Sequence, residues 1–289
     1  MNFSNTLRFN VTLSISKLLC FAYFFTCFSL NAIEHVIAHA PLDDKDKLQE
    51  YSFKLLTAAL EITIDDFGTY TLTRASESMS RDRQFMEVSK GERLTVIASP
   101  PIKKWRNDSL RVAFPIDKGI SSYRIFFLLK KNHNLFENIT TLDELKKIST
   151  GSNQQWSTTQ ILKDSGFNLV TGITYQGLFA MLNSERFLTF NRGINEILIE
   201  SEVFGSAYPN LTFDKHIALF TYLPNYFFVS PKYPILAKRI TNGLHKLHNN
   251  GELDKLFDEY FGQYIKKINL ENRRFFYIEN TNLGEDMYQ

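Results

Sequence analysis

Arg192 and Gly193 close a run that begins at Met181 and turns apolar with Phe187, Leu188 and Phe190. A guanidinium at the end of such a segment suits a carboxylate or a phosphate, because it pairs bidentately with planar anions. The competing account is an ion pair with a nearby glutamate such as Glu196 or Glu200. Gly151, Ser152 and Asn153 precede a helix that contains Trp156. Amides at a helix start, with hydroxyl and amide side chains beside them, form an anion site, although ordinary capping uses the same residues. Trp156 either walls a ligand or packs its helix on a sheet. His39 stands at the carboxyl end of the first expected strand, where open α/β folds gather their ligands. A hinge or packing histidine is the alternative there.

Signals for catalysis are thin. His245 and His248 lie one helical turn apart but lack the glutamate of a zinc-binding pair, and a polar surface explains them. Gly-x-Ser-x-Gly, a phosphate-binding Gly-Lys-Ser/Thr loop and a dinucleotide fingerprint are all missing from the sequence, and no cofactor is called for. Only His39 and Glu77 offer themselves as a general acid or base.

The elements that would position these residues alternate. Glu34 to His39 reads as a strand, Lys47 to Ile62 as an amphipathic helix, Tyr70 to Thr73 as a strand and Ser80 to Lys90 as a charged helix. Strands follow at Leu94 to Ala98 and Leu110 to Phe114, and a long apolar one starts at Ser121. A helix over Leu142 to Ile148, a Gly/Ser turn at 150 to 153, a helix, a strand over Asn168 to Ile173 and a helix over Gln176 to Ser184 make a second set. The chain ends in helices with stripes at Leu236, Ile240, Leu244, Leu247 and at Leu253, Tyr260, Tyr264. This order predicts an α/β fold with mostly parallel sheets covered on both faces.

With 289 residues and 44% apolar content the chain can fill two α/β cores. Residues 1–32 are set apart: Arg8 and Lys17 precede an apolar run from Leu18 to Leu30, with Ala32 at a cleavage point and Ala40 as a second candidate. That layout predicts a secretory signal. A helix of that run rises only ~20 Å, short of the roughly 30 Å hydrocarbon core, so no stable membrane insertion is expected after cleavage. Both cysteines, Cys20 and Cys27, fall inside this segment, which leaves no disulfide for the mature chain. Removing it takes away two basic and no acidic side chains and leaves 31 of each sign. A neutral chain makes no electrostatic case for nucleic acid, and a small molecule or another protein is the expected partner.

The stretch 225–262, NYFFVSPKYPILAKRITNGLHKLHNNGELDKLFDEYFG, resembles the C-terminal part of extracytoplasmic solute-binding proteins of family 3. The echoing residues are Phe227-Phe228-Val229, Ser230-Pro231, Gly243-Leu244, Asn250-Gly251, Leu256-Phe257 and Tyr260-Phe261-Gly262. The resemblance implies a two-lobed type II periplasmic-binding-protein fold whose hinge is two crossing strands. On it, residues 33–120 and 225–289 form one lobe and residues 121–224 the other. Ser99 to Arg106 follows a strand where family members place a carboxylate-binding arginine, with Arg106 as the match. Tyr123 and Arg124 begin the crossing strand at the hinge.

Two departures matter. Family members follow their first strand with a Pro-Phe loop that stacks on the ligand, whereas Ala40-Pro41-Leu42-Asp43 leads directly into a helix here. In amino-acid-binding members a second-lobe strand ends on an aspartate that holds the ligand's ammonium. Gly193 beside Arg192 stands in its place. An ammonium facing arginine gains a like charge, which in a closed cleft costs several kcal/mol. The resemblance therefore implies a monomeric, non-catalytic periplasmic protein that captures a small polar, anionic solute for an ABC-type importer permease, with Arg106 and Arg192 opposed across it. A sensor module signalling to a membrane partner is the rival, and a dehydratase-like enzyme on the same fold the third reading.

Overall fold

The computed structural model describes residues 33–41, 47–103 and 107–284, and their strands sort into two sheets. In the first sheet β1 (Glu34–Ala38) lies between β2 (Tyr70–Arg74) and β3 (Val96–Ser99), parallel to both. Parallel neighbours need a crossover, and α1 (Lys47–Glu61) and α2 (Arg81–Lys90) make the two. The sheet continues through β11 (Tyr226–Val229), antiparallel to β3 with Phe227 opposite Ala98, and ends at the short β4 (Leu110–Arg111).

The second sheet has the order β12 (Arg274–Tyr277)-β10-β5-β8-β6-β7, with β9 (Leu211–Phe213) also paired to β5. Its centre is β5 (Tyr123–Leu129), antiparallel to both β8 (Thr189–Gly193) and β10 (Ile217–Phe220). Beyond β8, the strands β6 (Thr150–Asn153) and β7 (Leu169–Gly172) run parallel. Helices α3 (Leu142–Lys147), α4 (Ser157–Asp164), α5 (Tyr175–Asn183) and α6 (Ile197–Gly205) connect these strands. The chain returns through β11 to α7 (Pro234–Asn249), α8 (Glu252–Phe257) and α9 (Gln263–Ile268).

Three expectations shift. The Gly/Ser turn at 150–153 is the buried strand β6, where an added Cβ at Gly151 would meet the Phe187 ring at 2.3 Å, so the glycine makes room for a core aromatic. The strand expected to Phe114 stops at Arg111, because the chain leaves the sheet for the second lobe. Residues 225–289 do not all return to the first lobe: β12 (Arg274–Tyr277) pairs in parallel with β10 of the second sheet. Arg273 anchors it, donating to the carbonyls of Ile268, Asp214 and Ile217.

The chain crosses between the sheets at 112–122 and 221–225, and Asp117 ties the two passages together. Its buried carboxylate accepts from Ser121 Oγ and Asn225 Nδ2, both at 2.6 Å, and from the amides of Gly119 and Asn225. Burial pushes the Asp117 carboxyl above its ordinary range, against these hydrogen bonds. The four donors replace the water that a buried carboxylate loses.

In the first lobe α1 buries Tyr51, Leu55, Leu56, Ala59 and Leu60, spaced three to four residues apart, against Leu236, Ile240, Leu244 and Leu247 of α7. Arg239 of α7, fully buried, spans Glu34, Thr63 and the carbonyls of Leu60 and Gly68, and so satisfies the C-terminal end of α1. The helices touch at Gly243, where a Cβ would stand 2.2 Å from the Ala59 carbonyl oxygen. Gly243→Ala must therefore push the helices apart, a cost of about 1–3 kcal/mol, and the melting temperature should fall by roughly 2–10 °C. Gly205→Ala, where nothing lies within 4 Å of the added Cβ, serves as the control and should melt within a degree or two of the parent.

Candidate functional site

A cavity of about 470 Å³ opens between the two sheets, within the size range that takes small-molecule ligands. The first lobe lines it with His39, Gln49, Ser52, Met79, Arg81 and Gln84, and the crossing passages add Ser121, Leu223 and Asn225. From the second lobe come Arg124, Asn153, Trp156, Tyr175, Arg192, Asn195, Glu196 and Glu200, among others.

Arg192 is engaged within its own lobe. Its Nε donates to Glu200 Oε1 and Oε2 at 2.9 and 2.8 Å, and its Nη2 donates to Glu196 Oε1 at 2.7 Å and to Glu200 Oε1 at 2.5 Å. The Trp156 ring covers the guanidinium at 4.4 Å, and Trp156 itself stacks on Phe190. Tyr175 donates its hydroxyl to Glu200 at 2.7 Å. Between the two accounts of Arg192 offered by its sequence, ligand partner or glutamate partner, the geometry has the glutamates. The reason is proximity: β8 ends where α6 begins, so residues 196 and 200 face back across one and two helical turns.

Arg124, 4% exposed, donates from Nε to Asn191 Oδ1 at 2.5 Å and approaches Glu196 Oε2 at 3.9 Å. Burial lowers its pKa to about 10, with Glu196 opposing the shift. Burial also works against the Glu196 carboxylate, but the Arg192 and Arg124 guanidinium groups outweigh it and hold the carboxyl below its usual range. Glu200 is pushed up by its burial. From the opposite lobe Arg81, the first residue of α2, donates Nη1 to Ser99 Oγ at 3.0 Å, and Ser99 in turn donates to the Pro100 carbonyl.

Five of the residues singled out by sequence, His39, Arg124, Asn153, Trp156 and Arg192, line this cavity. Four do not. Ser99 is spent positioning Arg81, and Tyr123 packs edge-on against Phe220 and Phe275, while the next residue along the strand reaches the cavity. Gly151 lies under Phe187, and the Ser152 hydroxyl is bonded to Thr159 Oγ1 at 2.6 Å. The Asn153 carboxamide lines the cavity but is occupied by the Ile173 carbonyl and the Gln155 amide. Arg106 and the expected signal segment 1–32 lie outside the described residues. His245 and His248 pack edge-on against Phe114. Among the described residues no cluster of His, Cys, Asp and Glu could hold a metal, and no helix is long and apolar enough to cross a membrane.

Sequence reasoning missed Arg81 and Asn195. Arg81 sat in what read as a charged surface helix, and nothing in its neighbours marks it. Asn195 follows Arg192-Gly193 by two residues, which was the available signal.

No protein-family model matches the sequence, and no curated protein does. Solved structures match in shape over most of the chain. An ancestral arginine-binding protein bound to arginine aligns at 16% identity with a TM-score of 0.57, over 79% of this chain and 98% of its own. A chain from the Streptococcus mutans system for glutathione import via GshT and the cystine ABC importer TcyBC aligns at 17% and 0.59, over 80% and 96%. A histidine kinase sensor domain with similarity to periplasmic binding proteins aligns at 14% and 0.57, over 79% and 96%. The chain has the two-lobed fold of the periplasmic binding proteins.

In this binding-protein fold the cavity sits in the cleft, and the buried charges of its wall are interdependent. Glu200→Ala leaves Arg192 with one carboxylate in place of two, and should cost about 3 kcal/mol of unfolding free energy, read from urea melts. His39, 7% exposed, has its pKa lowered to about 4 by burial, with Arg81 and Arg74 adding to the effect. The unfolded chain takes up that proton near pH 6.5 while the folded one does not, so stability falls as pH drops from 6.5 towards 4. His39→Gln should remove that part of the pH slope, measured as urea midpoints at pH 7.5 and 5.

Proposed function

We propose that the chain is a non-catalytic solute-binding protein, exported by its N-terminal signal, that captures a small polar anion between its lobes for an ABC-type importer. The charge left over in the cavity carries this reading. Among the described lining side chains three arginines, Arg81, Arg124 and Arg192, share two glutamates, Glu196 and Glu200, and His39 is neutral near pH 7, so the lining taken together carries one positive charge in surplus. Protonation of Glu200, which its burial favours, would only enlarge the surplus. A cationic solute would add a like charge in a desolvated cleft, at a cost of several kcal/mol. In this reading Arg81 and Arg124 are the pair opposed across the solute that the sequence offered as Arg106 and Arg192. An anion touching both would favour the closed arrangement of the lobes.

A catalytic reading has little to work with. His39 is a weak base at a pKa of about 4. Glu77 lies away from the cavity, 61% exposed and paired with Arg83 and Arg93. The likeness to a histidine kinase sensor domain favours a second reading in which the same cleft reports to a membrane sensor. Cells lacking the chain would then keep their uptake of the solute and lose only a transcriptional response to it.

The test is isothermal titration of the chain from Ile33 against amine-free carboxylates and phosphates alongside standard amino acids. Binding of the anions, with Arg81→Ala weakening it by roughly 10- to 100-fold as expected for a hydrogen bond to a charged group, is the expected result. Preference for a cationic or unmodified amino acid would overturn the anion reading.

A further inference from the structure

Two polar side chains that line this cavity are more than nine-tenths buried and have hydrogen-bonding capacity that the protein leaves unused. Asn195 is 3% exposed, and its Nδ2 and Oδ1 are both unpartnered. His39 is 7% exposed, and Gln49 engages one side of its ring, which leaves the other ring nitrogen without a partner. Asn195 belongs to the second lobe and His39 to the first, and both line the cleft. Other buried polar groups of the wall are occupied: Asn153 by Ile173 and Gln155, Arg192 by its glutamates.

A carboxamide offers one donor and one acceptor side by side, and a neutral imidazole offers one of each across its ring. Left unmade, such buried bonds are destabilising, so a ligand group that makes them is favoured over one that does not. Gly193 belongs to the same device. A Cβ there would stand 2.3 Å from Asn195 Oδ1, so the carboxamide occupies the space that any other residue at 193 would fill. Gly193 has no positive φ that would demand glycine, so the close approach of Asn195 is the reason for it.

We propose that the solute carries, next to the anionic group, an uncharged group that donates and accepts hydrogen bonds side by side, recognised by Asn195 from one lobe and His39 from the other. The proposal rests on the solute-binding reading above. Two ligand chemistries present that pattern, an amide or ureido group and a vicinal diol. A free ammonium does not: it only donates, and would leave the Asn195 Nδ2 donor unpaired. Sites built to hydrogen-bond a particular group reject analogues without it, because their own buried atoms are then left unsatisfied.

The experiment is titration calorimetry with a matched set of small acids: N-acetyl-L-alanine, N-carbamoyl-L-alanine, D-glycerate, propionate and L-alanine. Each is titrated into the parent, Asn195→Leu, Gly193→Ala and His39→Phe. The expected result is that the acyl and carbamoyl acids, or glycerate, bind at least tenfold tighter than propionate and L-alanine, and that Asn195→Leu and Gly193→Ala remove this preference. The first pair winning assigns an amide or ureide, and glycerate winning assigns a diol. Unliganded Asn195→Leu should melt no lower than the parent, because it deletes a buried group that has no partner. A lower melting temperature would mean that Asn195 holds the fold together, and would overturn the proposal. Equal binding of propionate and the acyl acids, unchanged in Asn195→Leu, overturns this proposal and leaves the anion reading standing. L-alanine binding best, or no acid binding at all, overturns both.

Discussion

Arg124, Arg192 and Glu200 are buried in one wall of the cleft with the half-buried Glu196 beside them, and their need to neutralise one another organises the site. Charges of this kind are stable out of water only when paired and hydrogen-bonded, and each of the four is. Glu200 takes three donors, two from Arg192 and one from Tyr175, and Glu196 takes Arg192 and the Gly193 amide. Trp156 lies on the Arg192 guanidinium and Phe190 lies under Trp156, so the aromatic core of the second lobe extends into the charged wall. A ligand meets a wall whose charge is already settled. In the proposed reading it responds to the net charge of the whole lining and to the neutral groups that the protein leaves unsatisfied.

Three stretches of chain link the two walls, 112–122, 221–225 and the segment between α9 and β12, and Asp117 bonds the first two to each other. The groups proposed to contact the solute line the cleft from both lobes, Arg81 and His39 on one side and Arg124 and Asn195 on the other. Binding energy gathered from both sides is available only when the lobes are together, which is how a cleft of this kind couples occupancy to shape.

Much of the architecture was legible from residue order. The α1 and α7 stripes and the α/β alternation express short-range periodicity, which a single sequence carries, and the Phe227–Val229 strand came with the resemblance to solute-binding proteins. β6 was not legible, because Thr150, Gly151, Ser152 and Asn153 have the composition of a turn. They form a strand only because β7 and β8 flank them and Phe187 fills the gap above Gly151. β12 was missed for a similar reason: its pairing with β10 joins residues more than fifty positions apart.

In the site, the residue types of the sequence established that an arginine and a glycine stand at the end of β8 and that His39 ends β1. The pairing of a strand-end arginine with glutamates one and two turns into the next helix was visible as one of two options, since both options satisfy a guanidinium. Only the tertiary structure chose between them, brought Arg81 from a charged helix to the cleft, and turned Tyr123 away while admitting Arg124. Local sequence determines which groups a segment can offer. Which of them remain unsatisfied, and therefore available to a ligand, depends on partners supplied from across the fold.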